Sequence, residues 1–288
     1  MKSILDEHPR LAIPDESHFI IGLRQKQKMS LGGGEVSVED IVRHPRFVAW
    51  EMDPQILRDH VADVGPRDYP ELLAATFEAY AKWRKKERWG DKTPGYAAYM
   101  PYLQQLFPTA LFIHMIRDGR EVAASLADRP WGPRTAVGGA FWWRKKIKKT
   151  RREGARLTPG TYLEVRLDEL IARPEETMHR VCDFLEEPYA AEMMDYPEHY
   201  RGKELPPGER HLVKPPTAGL RDWRHGLSKL DERAVEAVCR ARLKELGYDA
   251  GPIDPVASVY AVAQRGREFI LSAPSAVAAR LRPATRSY

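Results

Sequence analysis

Residues Met115–Ser125, MIRDGREVAAS, join a strand signal to a helix signal through a tight turn. The short apolar run Ala110–Ile116 follows Pro108 and predicts a buried parallel strand. Asp118-Gly119 predicts the turn, and the residues that follow predict a helix. A strand, a turn and a helix in this order indicate an α/β domain.

Charged and polar side chains surround this predicted turn. Arg117 lies at the end of the strand, and Ser125 and Arg129 follow on the helix. A guanidinium offers forked, permanently charged donors to phosphoryl oxygens, and a helix N-terminus adds free N–H groups. The segment therefore suits a phosphate, although a βα junction can also carry an ordinary surface arginine.

Arg117 and Ser125, eight residues apart, resemble the segment with which PAPS-dependent sulfotransferases hold the donor's 3′-phosphate (PAPS is 3′-phosphoadenosine 5′-phosphosulfate). The R-D-G-R form with a further Arg129 is most similar to the tyrosylprotein-type and bacterial branch. The resemblance implies that Arg117, Ser125 and Arg129 bind this cofactor. A late lysine, Lys214, resembles one that approaches the nucleotide in the same branch.

Three other stretches resemble the family in order and spacing. Leu5–Pro9 followed by Glu16 is similar to a helix end and its candidate general base, and Gly90–Pro94 is similar to a loop whose lysine faces the sulfuryl group. Val165–Leu170 with Pro174–Leu185 resembles the strand and helix that close the sheet. Together the resemblance covers roughly 3–247.

The resemblance implies that Glu16 and Lys92 are catalytic. Glu16 would take the proton from an acceptor hydroxyl or phenol, which favours a carboxylate with a raised pKa. His18 is the rival base, and a surface glutamate is the alternative for Glu16. Lys92 would aim its ammonium group at the transferred sulfuryl group, and the alternative is a solvated lysine before Thr93-Pro94.

One family feature is missing from the chain. Family members begin with a strand and a P-R-S-G-T-T-like loop that cradles the 5′-phosphosulfate, whereas this chain starts inside the following helix. Gly32–Gly34 has no strand before it and predicts a flexible loop. We expect Met1 to be either an internal methionine chosen as the start or the start of a shortened protein.

The predicted fold is a P-loop-NTPase-like, three-layer α/β/α architecture with a central parallel sheet, here without its first strand and loop. Residues 1–250 form a single domain in this interpretation, and residues 251–288 a loosely attached tail. Residues 39–88 predict a helical insertion, with a helix start at Asp53-Pro54, a break at Gly65-Pro66 and a long helix over Tyr69–Trp83.

Composition limits the partners and the compartment. Lys and Arg number 46 against 41 Asp and Glu, and the net charge of +5 favours an anionic ligand over genomic DNA. Cys182 and Cys239 lie in helical patterns without a C-x-x-C pair, which indicates buried thiols and no metal. No signal peptide or membrane-spanning run is recognised, so a cytoplasmic protein is expected.

The stretch Trp142–Arg152, WWRKKIKKTRR, holds seven basic residues within Arg144–Arg152. This patch is able to bind an acidic membrane surface, nucleic acid or an anionic saccharide acceptor. The alternative is a solvated helix face anchored by Phe141, Trp143 and Ile147. Peripheral membrane contact is therefore one prediction, and nucleic-acid binding is disfavoured because no nucleic-acid motif accompanies the patch.

Three functions compete at this point. The leading prediction is a sulfotransferase that moves a sulfuryl group from PAPS to a hydroxyl or phenol without a metal. The alternatives are a catalytically impaired nucleotide-binding remnant of the same fold and a kinase-like phosphoryl transferase, which would require magnesium. The acceptor stays open among a protein tyrosine, a small alcohol, a lipid and a saccharide.

Overall fold

The computed structural model describes residues 1–29, 35–129, 131–204, 210–217 and 223–266. The predicted Gly32–Gly34 loop and residues 267–288 of the predicted tail lie outside this range. The chain divides into two compact units. Unit 1 comprises Met1–His114, Leu157–Leu163 and Arg173–Pro216, and unit 2 comprises Met115–Arg156, Glu164–Ala172 and Thr217–Tyr288.

Helices dominate the described residues. The elements up to the middle of the chain are α1 (Lys2–Glu7), β1 (Leu11–Ala12), α2 (Phe19–Met29), α3 (Val38–Val42), α4 (Pro45–Val48), α5 (Pro54–Val64), α6 (Tyr69–Trp83), β2 (Arg88–Trp89), α7 (Met100–Leu106) and β3 (Phe112–Ile116). The later elements are α8 (Gly119–Ala127), α9 (Ala136–Gly154), β4 (Tyr162–Arg166), α10 (Leu167–Ala172), α11 (Pro174–Leu185), α12 (Tyr196–Tyr200) and α13 (Lys229–Glu245).

The predicted strand over Ala110–Ile116 is present as β3, and it pairs with β4. The sequence did not predict β1 and β2, which have two residues each and pair in parallel with Leu11 opposite Arg88. The strands of the described residues thus form two pairs, β1 with β2 and β3 with β4, where one central parallel sheet was expected.

Local sequence signals set the ends of the predicted insertion helices. The Asp53 carboxylate accepts a hydrogen bond from the Gln55 N–H at the start of α5, and Gly65 ends that helix at φ +63°. Asp68 caps α6 by accepting from the Glu71 N–H. A capping carboxylate accepts from the N–H groups that the first turn of a helix leaves unpaired. A left-handed glycine after the last turn lets the backbone pair with the final carbonyl groups. Both helices therefore begin and end where the sequence predicts.

Aromatic side chains form the core of unit 1. Phe77 of α6 lies 5.3 Å from the Trp50 ring and 6.0 Å from the Phe19 ring, between centroids, and stacks on Trp89 at 4.7 Å. The Trp50 indole N–H donates to the Asp15 carbonyl over 2.8 Å. The core thus joins the helical insertion to the loop before α2.

Helices α8, α9 and α13 form the core of unit 2. Gly119, the first residue of α8, lies under the Trp143 ring of α9, and a Cβ there would come within 2.5 Å of the ring. The thiol of Cys239 on α13 is buried in this core, as predicted. Close packing of α8 on α9 therefore depends on the absence of a side chain at Gly119.

The part of the predicted tail that is described is helical over 255–266. Ala257 and Ala261 of this helix are fully buried in the core of unit 2. The division into a domain at 1–250 and a loosely attached tail at 251–288 stays a prediction.

Candidate functional site

Glu16 and Lys92 lie together in unit 1, although 76 residues separate them in the sequence. One carboxylate oxygen of Glu16 lies 2.6 Å from the Lys92 ammonium nitrogen, and the other lies 2.9 Å from Nε2 of His18. The Glu16 side chain is 31% exposed and the Lys92 side chain is 46% exposed. The structure thus joins both predicted catalytic residues and the rival base in one accessible cluster.

A buried polar network holds the two loops that carry this cluster. The Ser17 N–H donates to the Thr93 hydroxyl over 3.1 Å, and the Ser17 hydroxyl lies 3.2 Å from the Tyr96 hydroxyl. Tyr96 also accepts a hydrogen bond from the Ile20 N–H over 3.0 Å. Ser17, Thr93 and Tyr96 are all buried, so these bonds are shielded from water. The network fixes the position of Lys92 relative to Glu16.

The sequence did not predict that Ser17, Tyr96 and Asp91 form hydrogen bonds behind Glu16 and Lys92. A serine, a tyrosine and an aspartate at these positions carry no local pattern that links residue 17 to residue 96. Burial raises the pKa of Asp91, and hydrogen bonds from Ser17 and Thr93 oppose that rise. These residues are recognisable as supports only after the chain has brought the two loops together.

His18 adopts the left-handed conformation with φ +53°. This region disfavours residues that have a Cβ, at a cost of about 1 kcal/mol or more, and such strain concentrates at functional sites. The conformation directs the His18 ring back to Glu16, two residues earlier. The turn before α2 is therefore shaped around the carboxylate.

The pKa of Glu16 differs from the expected one. Burial alone would raise the pKa of this carboxyl, but hydrogen bonds from Lys92 and His18 outweigh burial and lower it below its ordinary value. The expectation of a raised pKa was therefore wrong for this arrangement. Its physical reason is the ion pair, which the sequence does not reveal.

Arg117 lies in unit 2, directly after β3 and before α8. Its Nε donates to the Glu121 carboxylate over 2.7 Å, and its side chain is 33% exposed. The Asp118 carboxylate caps α8 by accepting from the Arg120 N–H over 2.8 Å. Arg120 also contacts Glu236 of α13 over 2.9 Å. Arg120 thus has a structural role, whereas Arg117 contacts a carboxylate on α8, the helix that follows it.

Ser125 and Arg129 lie two turns along α8 and just beyond its end. Ser125 is half-buried and Arg129 is exposed. Within the described part of the chain, neither side chain has a hydrogen-bond or ion-pair partner. Both groups are therefore available to an anionic ligand.

Lys214 lies in unit 1, after a short 3-10 helix at Arg210–Val213. Its side chain is exposed, and its carbonyl accepts a hydrogen bond from the Tyr196 hydroxyl over 2.8 Å. The backbone at this position is anchored, and the ammonium group is open to solvent.

The basic stretch Arg144–Arg152 forms most of the second half of α9. Trp143 and Ile147 are buried on its inner side, whereas Lys145, Lys148 and Lys149 are exposed. The buried Trp143 and Ile147 anchor the helix, and the exposed lysines fit both a solvated helix face and a binding surface. The described residues contain no group of three or more His, Cys, Asp or Glu side chains placed to hold a metal. None of the helices in the described ranges is long and apolar enough to cross a membrane.

The chain is similar in sequence to known sulfotransferases. A protein of Caenorhabditis briggsae described as a protein-tyrosine sulfotransferase is 30% identical over 182 residues, which cover 59% of this chain and 64% of that relative. Protein-tyrosine sulfotransferase 1 of Danio rerio is 26% identical over 267 residues, or 86% of this chain and 68% of the relative. The chain thus spans less than two thirds of the length of the Caenorhabditis briggsae relative.

Two solved structures share the fold. The sulfotransferase domain of the Synechococcus PCC 7002 olefin synthase has a TM-score of 0.58 at 19% identity and covers 87% of this chain and 90% of that domain. The sulfotransferase domain from the curacin biosynthetic pathway has a TM-score of 0.51 at 15% identity. The match covers 87% of this chain and 93% of that domain. They confirm the predicted α/β fold class. The sequence profile of the sulfotransferase family matches residues 1–191, so the chain belongs to the sulfotransferase family.

Proposed function

We propose that the protein transfers a sulfuryl group from PAPS to a hydroxyl or phenol acceptor. Membership of the sulfotransferase family supports sulfuryl transfer in general. The observation that carries the proposal for this chain is the 2.6 Å contact between Glu16 and Lys92, with His18 on the other carboxylate oxygen. Such a cluster places a proton acceptor next to a cation that can stabilise negative charge.

Donor binding is proposed for Arg117, Ser125 and Arg129, with Lys214 as a further cation. The three residues of unit 2 fit a phosphate chemically because they combine two guanidinium groups and a hydroxyl. Lys214 of unit 1 is proposed on the family resemblance alone. The ion pair with Glu121 is partly exposed, so a dianionic phosphate is able to replace that carboxylate on Arg117. PAPS, when bound, supplies the sulfuryl group and leaves as 3′,5′-diphosphoadenosine.

The proposed role of Glu16 is to accept the proton of the acceptor hydroxyl. While Lys92 donates to Glu16, the low pKa of that carboxyl makes it a weak base. Lys92 is half-exposed and able to turn toward an anionic group of the donor. Glu16 then loses one hydrogen-bond donor, its pKa rises, and it becomes a stronger base. His18 keeps the carboxylate oriented during this exchange.

Transfer of radiolabelled sulfur from PAPS to a panel of phenols, alcohols, saccharides and tyrosine peptides tests the proposal. We expect Glu16→Gln to lower kcat roughly 100- to 1,000-fold, because a positioned general base contributes about that factor. The affinity for 3′,5′-diphosphoadenosine should change less than about threefold, since the amide keeps the size of the side chain. Glu51→Gln, at an exposed glutamate, is the matched control.

Other outcomes identify the alternatives. Binding of 3′,5′-diphosphoadenosine without any transfer, under conditions in which a known sulfotransferase is active, would support the nucleotide-binding remnant. Transfer of phosphate that stops when magnesium is chelated would support a kinase-like enzyme. The acceptor class is decided by the panel, and a protein tyrosine is one candidate because the relatives are described as protein-tyrosine sulfotransferases.

The cellular location and membrane contact of the protein are separate proposals. The cytoplasmic location is predicted from the sequence, and sulfuryl transfer does not depend on it. Peripheral membrane contact through Arg144–Arg152 concerns where the protein acts and is independent of the chemistry at Glu16.

A further inference from the structure

The 255–266 helix is fixed to unit 2 by one of its sides. Ala257 is fully buried and Ala261 is 2% exposed, both in the core that α9 and α13 share. The Tyr260 hydroxyl donates to the Asp231 carboxylate at the start of α13 over 3.0 Å. Because these residues lie on one side of the helix, the opposite side faces outward.

The outward side of this helix is apolar. Val256, Val259 and Val262 are 68%, 72% and 67% exposed, and Ala263 is exposed beside them. Within residues 255–266, all of which are described, the single charged residue is Arg265. A surface helix in water normally presents polar residues outward, and contiguous exposed apolar residues mark a binding surface. We call this row the valine face.

A basic face lies on α9 in the same unit. Lys145, Lys148 and Lys149 are exposed, and in the described residues none of the three forms an ion pair. Trp142 is 39% exposed, and the Lys146 ammonium nitrogen lies 5.2 Å from its ring centroid. The face therefore combines uncompensated positive charge with an aromatic side chain that reaches the solvent.

Phe141 connects the two faces. The guanidinium carbon of Arg144 lies 4.8 Å from its ring centroid, and that of Arg265 lies 5.0 Å from it. Phe141 precedes Lys145 by four residues and Lys148 by seven, so all three lie along one side of α9. Burial, together with the like charges of Arg265 and Arg242, lowers the pKa of Arg144. An anion at this junction would relieve that repulsion.

We propose that unit 2 docks on an anionic lipid surface through the valine face and the basic face of α9 together. Lysines at the level of the headgroups attract acidic lipids, and valines and an exposed tryptophan insert at the interface. Nucleic acid would use the lysines but would gain little from an uncharged row of valines. The combination of both faces in one unit therefore favours a membrane surface as the partner.

Flotation of the full chain with vesicles tests this docking surface. The vesicles contain phosphatidylcholine alone or phosphatidylcholine mixed with phosphatidylserine. We expect binding to the mixed vesicles, with K145Q/K148Q/K149Q weakening it about 100-fold, since each lysine near an acidic surface contributes about a factor of five. We expect V256S/V259S/V262S to weaken it roughly tenfold or more. Both triple variants change exposed side chains, and circular dichroism verifies that they fold.

Matched controls change the same residue types in unit 1. V48S/V64S/V213S removes three exposed valines, and K82Q/K85Q/K203Q removes three exposed lysines. Both should bind the mixed vesicles like the unchanged chain. Absence of binding to the mixed vesicles would overturn the proposal, as would a valine variant that binds normally.

Two other partners, a second copy of the chain and nucleic acid, are distinguished by separate measurements. Light scattering that shows a dimer, lost in V256S/V259S/V262S, would assign the face to a second copy of the chain and overturn the proposal. Stronger binding to a single-stranded oligonucleotide than to the mixed vesicles would assign the lysines to nucleic acid, with the same consequence.

Discussion

The Glu16 cluster of unit 1 and the R-D-G-R segment of unit 2 use their charges differently. In the cluster, Lys92 and His18 both donate to one carboxylate, and buried hydroxyls hold the loops behind it. In the segment, Arg120 forms ion pairs with Asp118 and Glu236. Farther along, Ser125 on α8 and Arg129 just after it have no side-chain partner among the described residues. The charges of the cluster are therefore paired with one another. Near the segment, the Ser125 hydroxyl and the Arg129 guanidinium are able to donate hydrogen bonds to an anion.

The family resemblance therefore identifies candidate residues but does not show which ion pairs they form in the unliganded chain. Glu16 and Lys92 must exchange partners before the proposed chemistry, since their contact lowers the pKa of the base. Arg117 needs a smaller change because its partner Glu121, on the adjacent helix α8, is partly exposed. Nucleotide binding and proton transfer should therefore respond to separate mutations.

Arg117→Ala should separate the two regions most strongly. We expect the affinity for 3′,5′-diphosphoadenosine to fall about 100-fold or more, because loss of a guanidinium that contacts phosphate removes charge-assisted hydrogen bonds. Isothermal titration calorimetry measures the affinity. Arg173→Ala is the matched control because it also removes an exposed arginine from a local pair, there with Glu176. An unchanged affinity for Arg117→Ala would refute the assignment of the phosphate site.

Gly119→Ala tests whether the R-D-G-R segment depends on helix packing. The added Cβ would approach the Trp143 ring within 2.5 Å, so the free energy of unfolding should fall by about 1–3 kcal/mol, as for an overpacked core. Urea denaturation followed by tryptophan fluorescence measures the change. Gly22→Ala is the control because a Cβ at that helical glycine meets no atom within 4 Å. Equal stability of both variants would show that α8 and α9 pack less closely than described.

The effect of Glu16→Gln on the free energy of unfolding should depend on pH. Because Lys92 and His18 lower the folded-state pKa of Glu16, its contribution to stability is present above the ordinary value of 4.5 and lost as the pH falls through the lower folded-state value. At neutral pH the unchanged chain should be more stable than the variant by about 0.5–1 kcal/mol, the size of a partly exposed ion pair.

The difference in the free energy of unfolding, measured by urea denaturation between pH 7 and pH 3, should shrink toward zero below pH 4.5. Glu51→Gln serves as the control at an exposed glutamate. A difference that stays constant or grows on acidification would mean that Glu16 is not stabilised as a charged group.

Elements with local signals were predictable from the sequence. Asp53, Asp68 and Gly65 set the ends of α5 and α6, because caps and left-handed glycines act within a few residues. The apolar run before Arg117 and the turn after it likewise placed β3 and α8. The family resemblance singled out Glu16 and Lys92, which the structure then brought into contact.

Tertiary contacts, in contrast, set the electrostatic state of the candidate site and the outward face of the 255–266 helix. The pKa of Glu16 depends on burial and on the ammonium group of Lys92, 76 residues away. Buried hydrogen bonds of Ser17 with Thr93 and Tyr96 hold the two loops that carry these residues. The two-residue strands β1 and β2 exist because their backbones pair, not because of their own composition. Such contacts arise from chain closure over long separations, and no local pattern in the sequence encodes their geometry.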